Sequence, residues 1–320
     1  MIRKMIIVAI LAISPFTKSY SQSKCDCFDR LRNLSRYYDN INDYKMSISV
    51  LKDAVSFLDA DNIGDFYFEI AEEYKSNKEA DSAATYYTKA IQFGYPASWI
   101  MERSPEIYKN IDSKKIKRYT LQLKEKIDFD LYDKFVQTLA IDQSFRNDIL
   151  YPLSETSGKT ISADKKEIFD TLFSKIDDNT FEFVKWVLDN YQFPSSYKLG
   201  FYPKGFMRLI MHTTDKNNEQ GKYLFSKLEG LNKQCDFPEK SKILFLKDRQ
   251  YLYNNKKSLC GLMGHGSQFE IEHINDADSI RFSYNQIRLK EFFANDSLPK
   301  EYKPVPYPDN YFCLKKYHLE

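Results

Sequence analysis

Seven positions recur at a spacing of 36 residues. Leu31, Leu34, Ser35, Tyr38, Ser47, Leu51 and Ala54 return as Tyr67, Ile70, Ala71, Tyr74, Ala83, Tyr87 and Ala90. Side-chain size is kept rather than identity: large, large, small, aromatic, then small, large, small. That order suits paired antiparallel helices, because the small residues let two backbones approach and the large ones fill the groove of the next unit. Units of this kind cannot bury their apolar faces alone, so the chain must stack further helices upon them. Composition agrees, with only ten glycines against 24 tyrosines and 24 phenylalanines. Such a chain favours helices packed through aromatic rings over a turn-rich β-fold.

The second copy, Tyr67 to Pro96, resembles the tetratricopeptide consensus, down to a proline just past its second helix. The first copy is degenerate, and the period is slightly longer than that family's usual unit. The resemblance implies a short α-α superhelix over residues 24–128 that docks a peptide or protein. The alternative reading is that the array only shapes and supports the second domain. Neighbouring helices are available: Ser104 can cap a helix with Pro105 at its first position, and Ile111 to Phe145 supplies two further amphipathic stretches.

Residues 1–21 read as a cleavable signal. Arg3 and Lys4 form a basic start, Met5 to Ile13 an apolar run too short to span a bilayer, and Ser19-Tyr20-Ser21 a small-residue cleavage site after Ser21. The expected location is the periplasm or the exterior, with no stable membrane insertion after cleavage. Removing Arg3, Lys4 and Lys18 from 47 basic residues leaves 44 against 45 acidic ones. A nearly neutral chain without a basic run carries no electrostatic footprint for nucleic acid. Of the five cysteines, Cys25 and Cys27 are too close to pair with each other. One of them is expected to bridge to a distant cysteine, with Cys313 the natural clasp for the C-terminal tail; simple buried thiols are the alternative.

Between Asp142 and Gln268 a sparse series of polar motifs interrupts apolar helical sequence. It comprises Asp142-Gln143-x-x-Arg146, Asp177-x-Asn179, His212-x-x-Asp215, Asp248-Arg249 and His265-Gly-Ser-Gln268. Buried polar groups are costly unless they satisfy one another, so such a set reads as one cluster. Asp142 and Arg146 are four apart and share a helix face. A helix carrying Phe183, Val184, Val187 and Leu188 ends before Tyr191-Gln192-Phe193-Pro194, where proline forbids continuation. Further helices are predicted over Gly205 to His212 and between Leu244 and Tyr253.

The order of these motifs is similar to that of a bacterial domain of unknown function, whose members show DQ-x-x-R, D-x-N, G-W/F-P, Q-H-x-D, DR and Y-G-T-Q. The match runs from about Leu131 to Phe293 and includes Arg281 and Leu289 in its tail. Gln192 stands where that family has glycine, Met211 where it has glutamine, and His265 where it has tyrosine. The resemblance implies a helical domain and a candidate site, without a reaction.

Four readings compete for the series. A metal could draw on His212, Asp215, His265 and an acid such as Asp142 or Asp248, but no second ligand pair has a recognised spacing. A hydrolase, with or without a metal, would centre on His212, Asp215 and His265, and Ser267 beside His265 invites it; the G-x-S-x-G elbow is missing. An internal network of Asp142, Arg146, Asp248, Arg249 and Gln268, with His212 donating into it, needs neither. A pocket in which Arg146 or Arg249 clamps a carboxylate remains open beside it.

The expected architecture is therefore all-α. A tetratricopeptide-like array (24–128) leads into a second helical domain (129–294), and residues 295–320, rich in proline and tyrosine, form an extended strap over the helical body. The expected role is non-enzymatic protein or peptide interaction or scaffolding, with no cofactor, no metal and no catalytic residue assigned. The hydrolase is the alternative.

Overall fold

Two left-handed turns set the N-terminal architecture. Asn42 and Lys78, 36 positions apart, both take positive φ, at 61° and 62°. Each lies between a helix pair, α1 (24–40) with α2 (Tyr44–Val55), and α3 (Gly64–Ser76) with α4 (Ala80–Gln92). The chain is seen in a computed structural model that describes residues 24–58, 63–150, 163–195, 197–199, 204–215, 219–234, 237, 239–262, 270–272, 274–292, 298 and 302–317. The predicted signal segment lies outside these residues. Among them the fold is all-α, with a single isolated parallel bridge, Ser258 to Ile271, in place of any strand.

The repeated small residues do what their size allows. Ser47, Ala54, Ala71, Ala83 and Ala90 are fully buried, so α3 and α4 lie in close contact along their length. At the entry to α3, a Cβ on Gly64 would stand 2.4 Å from the Phe93 carbonyl oxygen, which only glycine permits. Aromatic rungs fill the remaining gaps: Phe68 stacks on Tyr95 at 4.1 Å, and Tyr74 on Tyr86 at 5.3 Å.

After Pro96 come α5 (Ala97–Arg103) and the single turn α6 (Pro105–Tyr108), with Pro105 at its first position as expected. Ser104 does not cap it. Its hydroxyl instead meets Tyr87 Oη at 2.9 Å and accepts from Lys75 Nζ at 3.0 Å. The buried phenol of Tyr87 needs a partner more than an exposed one-turn helix needs a cap.

α7 (Ser113–Lys124) lies against α4 and buries no residue completely. Asp128 caps α8 (Phe129–Ser144) by accepting from Leu131 N at 3.0 Å, and α8 runs into a π turn, Phe145–Leu150. α9 (Ala163–Asn190), α10 (Lys204–Thr214), α11 (Glu219–Gln234) and α12 (Lys240–Asn255) surround a second core with α8. Its centre holds Phe135, Val184, Leu188, Phe206, Leu228 and Ile243. Gly205 lets α10 press on α8, since a Cβ there would stand 2.8 Å from the Phe135 ring. α9 ends at Asn190, before Pro194. Gln192 then takes φ 59°, in the left-handed region that ordinarily favours glycine.

The chain then crosses back. α13 (Ala277–Ser283), α14 (Leu289–Phe292) and an irregular stretch at 302–308 lead to a 3-10 helix, Asp309–Tyr317. The expected extended strap is thus corrected at its end, which is helical. Tyr311, Leu314 and Tyr317 recur every three residues, the period at which a 3-10 helix aligns one face. That face is buried among Phe28, Leu31, Leu51 and Phe66 of the N-terminal helices. Tyr311 Oη donates to the carbonyls of Phe282 (3.0 Å) and Gln286 (3.2 Å), and the Arg30 guanidinium lies 4.1 Å over its ring.

Cys25 is disulfide-bonded, while Cys27, Cys260 and Cys313 are free thiols. Cys313 reaches Cys27 as the clasp idea anticipates, but as a thiol contact rather than a bridge. The Cys313 hydrogen bond and burial push the Cys27 thiol up, and the same contact lowers Cys313. Cys235 lies outside the described residues.

Candidate functional site

The polar series resolves into three separate locks. The first joins α8, α9 and α10. Asp142 is fully buried and accepts from Arg146 Nε at 2.9 Å, Gln143 Nε2 at 2.6 Å and His212 Nδ1 at 2.7 Å. The i, i+4 spacing brings Arg146 to Asp142 as expected, and Arg146 Nη2 then donates to Asp177 Oδ1 at 2.6 Å. Gln143 in turn accepts from Arg208 Nη1 at 2.9 Å. Burial pushes the Asp142 carboxyl up, but the His212 hydrogen bond and charge, followed by Arg146, outweigh it and hold Asp142 below the usual carboxylate range. An ionised carboxylate only accepts, so the proton in the Asp142–His212 contact belongs to His212 Nδ1. Asn179 takes no part: it is exposed, two residues past the buried Asp177.

The second lock ties α12 to the end of α10. Arg249 grips Asp215 in a two-pronged contact, Nε to Oδ1 at 2.6 Å and Nη2 to Oδ2 at 2.9 Å, while Nη2 also reaches Tyr253 Oη at 3.0 Å. Gln250 donates to the Thr214 carbonyl at 2.8 Å and so covers the C-terminal end of α10.

The third lock is the neighbour in sequence, Asp248, which faces elsewhere. Fully buried, it accepts from the Ser258 hydroxyl at 2.9 Å, from the amides of Leu262 (2.7 Å) and Cys260 (3.3 Å), and from the Leu259 amide. It thereby shapes the turn through 258–262, in which Gly261 takes φ 78°. The expected single network of Asp142, Arg146, Asp248 and Arg249 is thus divided: adjacent residues of a helix point about 100° apart, so Asp248 and Arg249 serve different partners. His265 and Gln268 lie outside the described residues.

His212 and Asp215 do not converge on a common point, since His212 Nδ1 is held by Asp142 and both Asp215 oxygens by Arg249. Among the described residues, no group of three His, Cys, Asp or Glu side chains is placed to hold a metal ion.

Sequence reasoning missed a fourth polar centre on α1. Asp29, Arg30, Arg32 and Asn33 are all buried. Asp29 accepts from the Ser241 amide at 2.7 Å and hydroxyl at 2.5 Å, at the start of α12. Arg32 pairs with Glu69 at 2.6 Å and with Glu239, and Arg30 Nε donates to Asn285 at 3.1 Å. The available signal was the set of four polar residues in a helix otherwise marked by Phe28, Leu31 and Leu34. A further centre is Asp278, which accepts from Leu289 N (2.7 Å), Tyr302 Oη (2.8 Å) and Val305 N (2.9 Å) and so holds the returning tail. Arg281, three residues on, is completely buried and donates to the Ile287 carbonyl at 2.7 Å.

No family model, curated protein or solved structure matches the chain.

Proposed function

We propose that this chain is an exported helical protein that acts by holding a protein or peptide partner, and that its polar series is an internal lock rather than a reaction centre. The observation that carries this reading is the Asp142 carboxylate, fully buried and met by three donors from two helices and the π turn. Charges arranged this way satisfy each other and leave little for a substrate. Large apolar side chains are exposed among the described residues, Met101, Phe129, Ile141 and Ile168 among them, and a protein partner would cover such side chains.

One observation favours the hydrolase. Asp142 holds Nδ1 of His212, the arrangement that orients a general base and leaves Nε2 to act. The two readings separate in one experiment. Urea unfolding and p-nitrophenyl ester hydrolysis are measured together for the wild type, Asp142→Ala and His212→Ala. The lock reading expects Asp142→Ala to lose about 3 to 5 kcal/mol, because Arg146 is left buried beside a missing partner. It expects His212→Ala to lose about 1 to 3 kcal/mol, with no hydrolysis in any of the three. A wild-type esterase activity abolished by His212→Ala, with stability unchanged, would overturn it.

A further inference from the structure

The first helix and the last one meet at a pair of sulfurs. Cys27 lies on α1, one residue before Phe28, and Cys313 lies on the closing 3-10 helix, one residue before Leu314. Packing sets the two elements side by side without any help from the sulfurs, since Phe28 and Leu31 share a core with Tyr311, Leu314 and Tyr317. The Arg30 guanidinium covers the Tyr311 ring at 4.1 Å, and Tyr317 Oη donates to Asp53 of α2. Within that frame the Cys27 and Cys313 side chains are hydrogen-bonded to each other.

The two thiols differ in access. Cys27 is fully buried, whereas Cys313 is half-buried. The third free thiol, Cys260, is fully buried at the turn that Asp248 shapes. A reagent in solution therefore reaches Cys313 alone. An inert core cysteine is enclosed on all sides by apolar neighbours. Cys313 departs from that pattern, because one side of it is open and its sulfur faces another sulfur.

The surroundings suit sulfur chemistry. Arg30 stands beside Cys313 and favours its thiolate, the form that attacks a disulfide. Cys25, two residues before Cys27, is itself disulfide-bonded, so oxidised sulfur already occurs on this turn of α1.

From the sulfur contact, the one-sided access and the packing of the tail on α1, we propose that Cys27 and Cys313 form a dithiol that a small disulfide oxidises to a bridge, fastening the tail to the first helix. The Cys313 thiolate attacks one sulfur of the small disulfide and forms a mixed disulfide, and the first thiolate leaves and takes up the Cys313 proton. The Cys27 sulfur then attacks the Cys313 sulfur, the bridge forms, and the second thiolate leaves with the Cys27 proton. One small disulfide is reduced to two thiols while two protein thiols become one bridge. That bridge closes most of the chain into a single loop, and long loops are where a cross-link constrains the unfolded chain most. The proposal goes beyond the partner reading and does not depend on it.

The test incubates the folded chain with oxidised glutathione, caps the remaining thiols with iodoacetamide after unfolding, and maps the disulfides by mass spectrometry of non-reduced peptides. A Cys27–Cys313 bridge is expected, with Cys260 capped and Cys25 still in its original disulfide; a bridge already present on isolation is the same result. Cys27→Ser is expected to stop at the mixed disulfide, with one glutathione on Cys313, and Cys313→Ser to take up none. Where the buried hydroxyl of Cys27→Ser lowers stability, Cys27→Ala replaces it. The bridged wild type should melt about 5 to 10 °C above Cys313→Ser treated alike. A Cys313 that stays free in the folded wild type under saturating oxidised glutathione overturns the proposal. So does a glutathione adduct on wild-type Cys313 as lasting as the one on Cys27→Ser, because Cys27 then fails to displace it. Pairing of Cys313 with Cys260 or with a second copy of the chain overturns it too, and a bridged chain that melts no higher than Cys313→Ser contradicts the fastening.

Discussion

The α3–α4 pair and the α8–α9–α10 group hold helices together by different means. In the first, Ala71, Ala83 and Ala90 are fully buried and Gly64 admits a backbone carbonyl where no Cβ fits, so register follows from shape. In the second, larger side chains such as Phe135 and Phe206 fill the space, and Asp142, Arg146, Asp177 and His212 join the three helices through buried charge. Small residues define one close approach and exclude others. Large apolar residues tolerate several packings, and a directed ion cluster selects among them. A helix pair that recurs in sequence can rely on shape. Helices drawn from separated segments of this chain add polar locks, beside the close approach that Gly205 allows between α10 and α8.

That contrast can be broken from either side. After Asp142→Ala, the next largest effect is expected at Gly64. Gly64→Ala drives a Cβ against the Phe93 backbone, and overpacking of this kind costs about 1 to 3 kcal/mol in urea unfolding. An unchanged midpoint would show that shape is not what fixes the α3–α4 register.

A pH comparison sharpens the difference further. Burial first, then the nearby Asp39 charge, pushes the Glu73 carboxyl on α3 up to about 7. A raised acid favours the folded state below its unfolded value, near 4.5, and that contribution is lost as pH rises toward 7. Asp142 is lowered instead, so its contribution is present above its ordinary value, near 3.8, and is lost as pH falls through the folded value. Glu73→Gln should therefore raise the thermal midpoint at pH 8 and leave it unchanged at pH 4. An equal effect at both would contradict the assignment.

The smallest effect is expected at the surface. Asp189 accepts from Lys227 Nζ and Tyr223 Oη, both at 2.7 Å, but the pair is largely solvated. Asp189→Asn should change stability by less than about 0.5 kcal/mol. A larger loss would mean that surface pairs, too, help set register.

The distance between partners decides which of these features could be read from the sequence. The 36-residue period shows in the paired turns at Asn42 and Lys78, because helix pairing within a repeat is local. Asp142 and Arg146 are readable because helix geometry alone joins residues four apart. Asp177 is easily passed over for Asn179, because a two-residue offset on a helix turns a side chain from the interior to the surface and no local rule says which way. Arg249 with Asp215, Asp248 with the 258–262 turn, and Asp29 with Ser241 depend on how separate helices meet. The tail's return to α1 is equally hidden, although the three-residue spacing of Tyr311, Leu314 and Tyr317 is present to be noticed.

A double-mutant cycle measures whether Asp142 and Arg146 act as one structural unit. Urea unfolding of wild type, Asp142→Ala, Arg146→Ala and the double variant should give a coupling of about 1 to 3 kcal/mol, with the double variant far less destabilised than the two singles added together. A coupling of zero, with both single variants as stable as the wild type, would contradict the lock and return these residues to the pool of candidates for chemistry.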